Sequence, residues 1–148
     1  MRPGELISSL LNNLQSLCRN SIILKNASFQ QIMGIVSLDY DGMEMSSFSL
    51  KLGVDNSTAS RLVNGLEKKG WVVRARDKSD TRVVIVSLTN KGKSVQKELE
   101  HQFYKLGKEI ESEIQTYDED DIIFESISTL NWALMKIKME TDNIVLCK

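Results

Sequence analysis

Residues 50–92 read LKLGVDNSTASRLVNGLEKKGWVVRARDKSDTRVVIVSLTNKG, and their patterning decides the fold. A short helix-like segment runs into a tight turn at Gly53-Val54, and a second helix is predicted to begin near Asp55 and end at Gly70. The short Asp55 carboxylate suits the free N–H groups of a first turn, and Gly70 suits the closing residue. At about 100° per residue, Ser57, Arg61, Asn64 and Lys68 fall on one side of that helix, while Ala59, Leu62, Val63 and Leu66 fall on the other. One face is built to pack inward and the other to meet a partner.

Two β-branched runs follow, Trp71 to Arg76 and Arg82 to Leu88, joined by Asp77-Lys78-Ser79-Asp80-Thr81. They read as a hairpin with a charged tip. Helix, turn, helix and hairpin in that order outline a winged helix-turn-helix. The expected fold class is therefore mainly α with a small β-hairpin wing (α+β), the winged lobe flanked by N- and C-terminal helices.

The polar stripe of the second helix suits the major groove of DNA. Arg can donate two hydrogen bonds to guanine, Asn can pair with adenine, and Ser or Thr hydroxyls fit bases or phosphates. Charge is segregated in the same sense. Residues 51–93 carry ten Lys or Arg against four acids, and residues 98–125 carry ten acids against two Lys, in a chain of formal net charge -1. Such asymmetry turns one segment toward a polyanion, with phosphate contacts supplying salt-dependent affinity and base contacts discrimination. The acidic segment reads as a solvated face.

The run Leu52-Gly53-Val54, Ser60-Arg61-Leu62-Val63, Leu66-Glu67-Lys68-Lys69-Gly70-Trp71-Val72, Arg74, Asp77, Asp80-Thr81-Arg82 and Val86-Ser87-Leu88-Thr89-Asn90-Lys91-Gly92 resembles the MarR family of bacterial transcriptional regulators. The likeness is most specific where Asp-x-Arg precedes a strand closing in Leu-Thr-x-x-Gly. It covers about residues 29–95 by motif. It implies a homodimeric DNA-binding repressor that places a recognition helix in the major groove and a wing in the adjacent minor groove of a pseudo-palindromic operator. Carried over by position, Asn56, Ser57, Thr58, Ser60, Arg61 and Asn64 become major-groove candidates, with Lys68 on the same stripe. Arg82 becomes the wing arginine and Asp80 its brace, and Arg74, Arg76 and Lys78 become phosphate contacts. The sequence departs from the family in having Thr81 where many members place a basic residue, so a weaker minor-groove contact is expected.

The remaining segments are expected to dimerise. Leu6, Leu10, Leu14 and Leu17 recur at helical spacing, as do Val95, Leu99, Leu106, Ile110, Ile114 and Tyr117 beyond the cap candidate Thr89. Ile123, Ile127, Leu130, Leu134 and Ile137 alternate steps of four and three, the spacing of a narrow apolar seam that pairs helices. A two-fold dimer would present recognition helices about 34 Å apart, one turn of B-DNA. The expected organisation is one domain over 1–148, with a winged lobe at 29–92 and dimerisation helices at 1–27 and 93–148.

With 148 residues, 41% hydrophobic and 26% charged, the composition is globular. No apolar run approaches the ~20 residues of a membrane helix, and the N-terminus has no signal-peptide core, so a cytoplasmic location and no membrane partner are expected. Cys18 and Cys147 are too few for a disulfide framework. Cys18 lies in the first helix, where peroxide-sensing members of the resembled family place their reactive cysteine, so a thiol-sensing regulator is one alternative. Against it, Cys18 is also suited to fill the seam as a small apolar residue, and no tyrosine adjoins it in sequence.

The resemblance further implies release by a small aromatic or phenolic effector, for which Phe29, Met33, Met43, Met45, Phe48, Trp71 and Trp132 are lining candidates, though such residues more often form core. An enzyme is not expected. Gly92-Lys93-Ser94 lacks the earlier glycine of a phosphate-binding loop, where Ser87 stands, and His101 has no second ligand for a metal. Asp118-Glu119-Asp120-Asp121 reads as a helix start, with carboxylates at the positive end of the dipole. Neither cofactor nor metal is expected. The alternative from another class is a winged-helix protein-interaction module that does not read DNA.

Overall fold

The computed structural model describes residues 2–114 and 120–146. Tyr117, Asp118, Glu119 and Cys147 lie outside the described residues. The order is α1 (Pro3–Ser21), α2 (Phe29–Ser37), β1 (Met43–Glu44), α3 (Met45–Leu52), α4 (Asn56–Lys68), β2 (Val72–Arg76), β3 (Val84–Leu88), α5 (Asn90–Ile114) and α6 (Asp120–Leu146). The chain divides into two compact units, residues 1–104 and 105–148.

Local chemistry sets the bounds of the helix-turn-helix. Ser28 and Gln31 form a reciprocal cap at the start of α2: the Ser28 hydroxyl accepts from the Gln31 N–H at 3.2 Å, and the Gln31 side chain accepts from the Ser28 N–H at 3.1 Å. Gly53, at φ 69°, ends α3 in the left-handed region where a Cβ is costly. Asp55 caps α4 by accepting from the Thr58 N–H at 2.8 Å, and Gly70, at φ 71°, lies beyond its end. Both ends of α4 are thus where the sequence predicted. The helix α3 starts earlier than expected, at Met45.

Apolar faces converge between these helices and the sheet. Ile32 and Ile35 of α2, Phe48 of α3, Ala59, Val63 and Leu66 of α4, Val72 and Val86 of the sheet, and Leu99 of α5 are buried. Each large side chain so removed from water contributes about 1.5–3 kcal/mol. The buried Gln96 amide ties α5 to the end of α2, donating to the carbonyls of Ile35 at 2.9 Å and Leu38 at 2.8 Å.

The hairpin is antiparallel with Val72 opposite Leu88 and Arg76 opposite Val84. A third strand, unforeseen in the sequence, completes the order β1-β3-β2, with Met43 opposite Val86. Two residues are too short a run to show strand periodicity. The wing closes onto α5 through Thr89, whose hydroxyl donates to the Gly70 carbonyl at 2.6 Å and accepts from the Gly92 N–H at 3.0 Å.

The helix α1 has no buried residue, and its Leu6, Leu10, Leu14 and Leu17 are between 39% and 54% exposed. In the second unit, Ile127, Trp132, Leu134 and Ile137 of α6 are exposed as well. No helix among the described residues is long and apolar enough to cross a membrane.

Candidate nucleic-acid interface

The face of α4 that the sequence marked as polar is exposed at Ser57, Arg61, Asn64 and Lys68, and the opposite face is buried at Ala59, Val63 and Leu66. Leu62 is half-buried. At the N-terminal end the polar groups first serve one another. Asp55 accepts from the Ser57 hydroxyl at 2.5 Å and from the Thr58 hydroxyl at 2.7 Å. These bonds, the Ser57 hydroxyl first, hold the Asp55 carboxyl well below the usual carboxylate range. Arg61 folds back onto Ser57, donating to its carbonyl at 3.4 Å and its hydroxyl at 3.3 Å. Asn56 accepts from the hydroxyl of the buried Ser49 at 2.7 Å. Ser49, which the sequence analysis passed over, therefore positions one of the groove candidates.

The wing tip is organised by two carboxylates. Asp77 accepts from the N–H groups of Ser79 at 2.8 Å and Asp80 at 3.0 Å and from the Ser79 hydroxyl, which closes the turn. The Ser79 hydroxyl is the largest influence lowering the Asp77 carboxyl below its ordinary range. Asp80 receives Arg82 in a two-point pair at 3.0 and 2.9 Å, and also the Arg82 N–H at 3.0 Å. The pair lowers the Asp80 carboxyl and raises the Arg82 guanidinium from their usual ranges. Arg82 still projects, its side chain 89% exposed, while paired with Asp80, the residue that the family resemblance offered as its brace. Lys78 is exposed beside it.

Two of the expected phosphate contacts also brace the fold. In an antiparallel ladder side chains alternate, so Arg74 shares the face of the buried Val72 and points back at α4. There it pairs with Glu67 at 2.9 Å and donates to the Ser60 hydroxyl at 3.3 Å and to the Asn64 side-chain oxygen. Arg76 donates to the carbonyls of Thr81 at 3.1 Å and Arg82 at 3.4 Å, bracing the turn from within. Arg74 is half-buried there, and Arg76 stays exposed at the end of its strand. Period-two alternation from the apolar Val72 was the signal that could have placed Arg74 on the inward face of β2. Two further basic residues of the segment are also engaged: Lys69 reaches the Asn26 carbonyl and stacks 5.1 Å from the Trp71 ring, and Lys91 donates to the Lys69 carbonyl at 3.0 Å.

Where α3, α4 and the wing meet, Glu44, Met45, Ser46, Asn56, Arg82, Val83 and Val84 line a groove of about 350 Å³. Helix start and wing arginine thus border one depression. Of the effector candidates in the first unit, Met45 lines this groove, whereas Phe48 and Trp71 are core residues and Phe29 lies under the Arg19 guanidinium at 4.8 Å; in the second unit Trp132 is exposed on α6. Met33, Met43 and Met45 are half-buried, as is Cys18 on α1.

The sequence pattern of the MarR family matches residues 38–84. YfiV of Bacillus subtilis (strain 168), an uncharacterized HTH-type transcriptional regulator, is 30% identical over 115 residues, spanning 76% of this chain and 71% of its own. The transcriptional repressor MprA of Escherichia coli (strain K12) is 26% identical over 139 residues, 94% of this chain and 77% of its own. Among solved structures, Streptococcus pneumoniae FabT in complex with DNA superposes with a TM-score of 0.72 at 25% identity, covering 90% of this chain and 96% of that one. FabT shares the mostly helical fold with its small antiparallel sheet.

Proposed function

The chain belongs to the MarR family of transcriptional regulators, and from that premise we propose that it binds double-stranded DNA as a homodimer and represses transcription from a pseudo-palindromic operator. The observation that carries the proposal is an exposed polar α4 face together with a projecting, Asp80-braced Arg82 that shares one groove with Asn56 at the start of α4. MprA, similar over most of the chain, is a repressor, and FabT was solved on DNA; both support this reading.

In it, Ser57, Arg61, Asn64 and Lys68 face the major groove, with Asn56, Thr58 and Ser60 at its margin. Arg82 enters the minor groove, and Lys78 meets phosphate. Residues 29–92 act as the DNA-binding lobe, and residues 1–27 and 93–148 as dimerisation helices. The exposed leucine stripe of α1 supports that division, because leucines repeated at helical spacing without a buried residue on the helix call for an apolar partner. Release by a small aromatic or phenolic effector and a cytoplasmic, non-enzymatic role complete the proposal. Such an effector would act by favouring a lobe spacing that no longer fits successive grooves.

The test is selection of genomic duplex fragments by the purified protein at two salt concentrations. Enrichment of a palindrome with half-sites about ten base pairs apart is expected, and Arg82→Ala should weaken its binding. Binding that vanishes with salt and enriches no site, or that survives Arg82→Ala and Arg61→Ala unchanged, would instead support a protein-interaction module.

A further inference from the structure

Arg74 of β2 reaches across to a single stripe of α4. Ser60, Asn64 and Glu67, spaced four and three residues apart, stand above one another on that stripe. The guanidinium is anchored by Glu67, with Nε at 3.0 Å and a terminal nitrogen at 2.9 Å from the same carboxylate oxygen, and its remaining reach goes to Ser60 and Asn64. The two charged side chains are only 25% and 34% exposed, so the pair is partly withdrawn from water. Asn64 itself is exposed and belongs to the outward stripe as well.

A guanidinium carries donors and no acceptor, so the Asn64 amide must turn its oxygen toward Arg74. What remains at the solvent face is the NH₂ group. Pairing with adenine needs both halves of the amide, the oxygen accepting from N6 and the nitrogen donating to N7. Guanine instead presents two adjacent acceptors, O6 and N7, with no competing donor between them.

Resting on the DNA-binding reading above, we propose that Arg74 is a positioning residue that locks the Asn64 amide oxygen inward, so that Asn64 offers donors alone and selects guanine over adenine at one base pair of each half-site. The same logic does not extend to Asn56, because the Ser49 hydroxyl has one proton, for which the Ser46 carbonyl at 2.8 Å competes, so it can either donate to Asn56 or accept from it and does not fix the amide. Arg74 acts through Asn64 and touches no base.

The experiment is operator selection with the wild type and with Asn64→Ala, Asn64→Asp and Arg74→Lys, reading base preference at every position. Asn64→Ala identifies the base pair by abolishing its preference. There the wild type is expected to favour guanine over adenine by about fivefold or more. Arg74→Lys keeps the charge but loses the planar fork, and should bring that ratio to near parity while leaving the salt slope unchanged. Asn64→Asp leaves one oxygen on Arg74 and turns the other outward, so preference should move to cytosine, whose N4 donates.

Adenine selected by the wild type at the Asn64 position, or an Arg74→Lys preference identical to wild type, overturns the proposal. Should Arg74→Lys fail to fold by circular dichroism, the exposed Asn64→Asp decides alone: a shift to cytosine upholds it, and no shift overturns it. Failure of the wild type to enrich any site is a different result, overturning the DNA-binding reading itself.

Discussion

Gly92 stands so close to the Trp71 carbonyl that no Cβ fits between them. That carbonyl is already the acceptor for the Thr89 N–H at 3.0 Å, so the opposing atom is backbone held in place. The Leu-Thr-x-x-Gly pattern at the end of the wing has its physical cause here: Thr89 caps α5, and Gly92 lets the first turn of α5 press on the chain leaving α4.

Gly92→Ala should consequently destabilise by about 1–3 kcal/mol, the range for forced overpacking. Gly107→Ala, where a Cβ meets nothing within 4 Å, is the control and should stabilise by about 0.5–1 kcal/mol, since Gly is a poor helix residue. Urea unfolding of both variants checks the contrast, and equal shifts would contradict it.

Thr89→Val removes the hydroxyl that serves both Gly70 and Gly92 while keeping the shape. Loss of about 0.5–2 kcal/mol is expected, as for other N-cap removals. Thr89→Ser should retain most of it, and thermal melts of the two compare them directly.

Gln96→Leu should cost about 1–3 kcal/mol, because the buried Leu38 carbonyl loses its Gln96 donor, whereas the Ile35 carbonyl keeps the Leu38 N–H at 3.3 Å. The measurement is the urea midpoint, together with hydrogen exchange at the end of α2, which should lose protection first.

Acid should destabilise this lobe through its structured carboxylates. Asp55, Asp77 and Asp80 are all held below the ordinary 3.8 by hydrogen bonds present only in the folded chain. Because the folded values are the lower ones, their contribution is full above about pH 4 to 5 and is lost as pH falls through 3.8 and below. Asp55→Asn keeps a capping side chain but does not titrate, so its melting temperature should fall less than the wild type's between pH 5 and pH 2. Parallel curves would sink the assignment.

Leu14→Asp on α1 should yield a monomer by sedimentation and abolish operator binding, because a charge in an apolar seam costs more than pairing returns. Its circular dichroism should stay helical, since Leu14 is 44% exposed within the chain.

Much of this was legible before any coordinates. Asp55 and Gly70 bound α4 because capping is local chemistry, acting over three residues or fewer. The wing followed from β-branched runs, and the inward face of α4 from helical periodicity. The strand β1 escaped because Met43 and Glu44 carry no period. The early start of α3 escaped because Ser46, Ser47 and Ser49 are weak helix formers and no side chain caps its first turn.

Sequence by itself determined where the elements lie, which faces are apolar, that positive charge concentrates in residues 51–93, and which family the chain resembles. Each of these is a property of neighbours along the chain. Only the tertiary structure decided which of those positive charges make contacts within the fold. Arg74 is taken up by Glu67 and Asn64, Arg76 by the wing turn, Lys69 by Asn26 and Lys91 by the end of α4, whereas Arg82 projects. The physical reason is that a hydrogen bond is set by distance through space, and Lys69 meets a carbonyl 43 residues away in the chain.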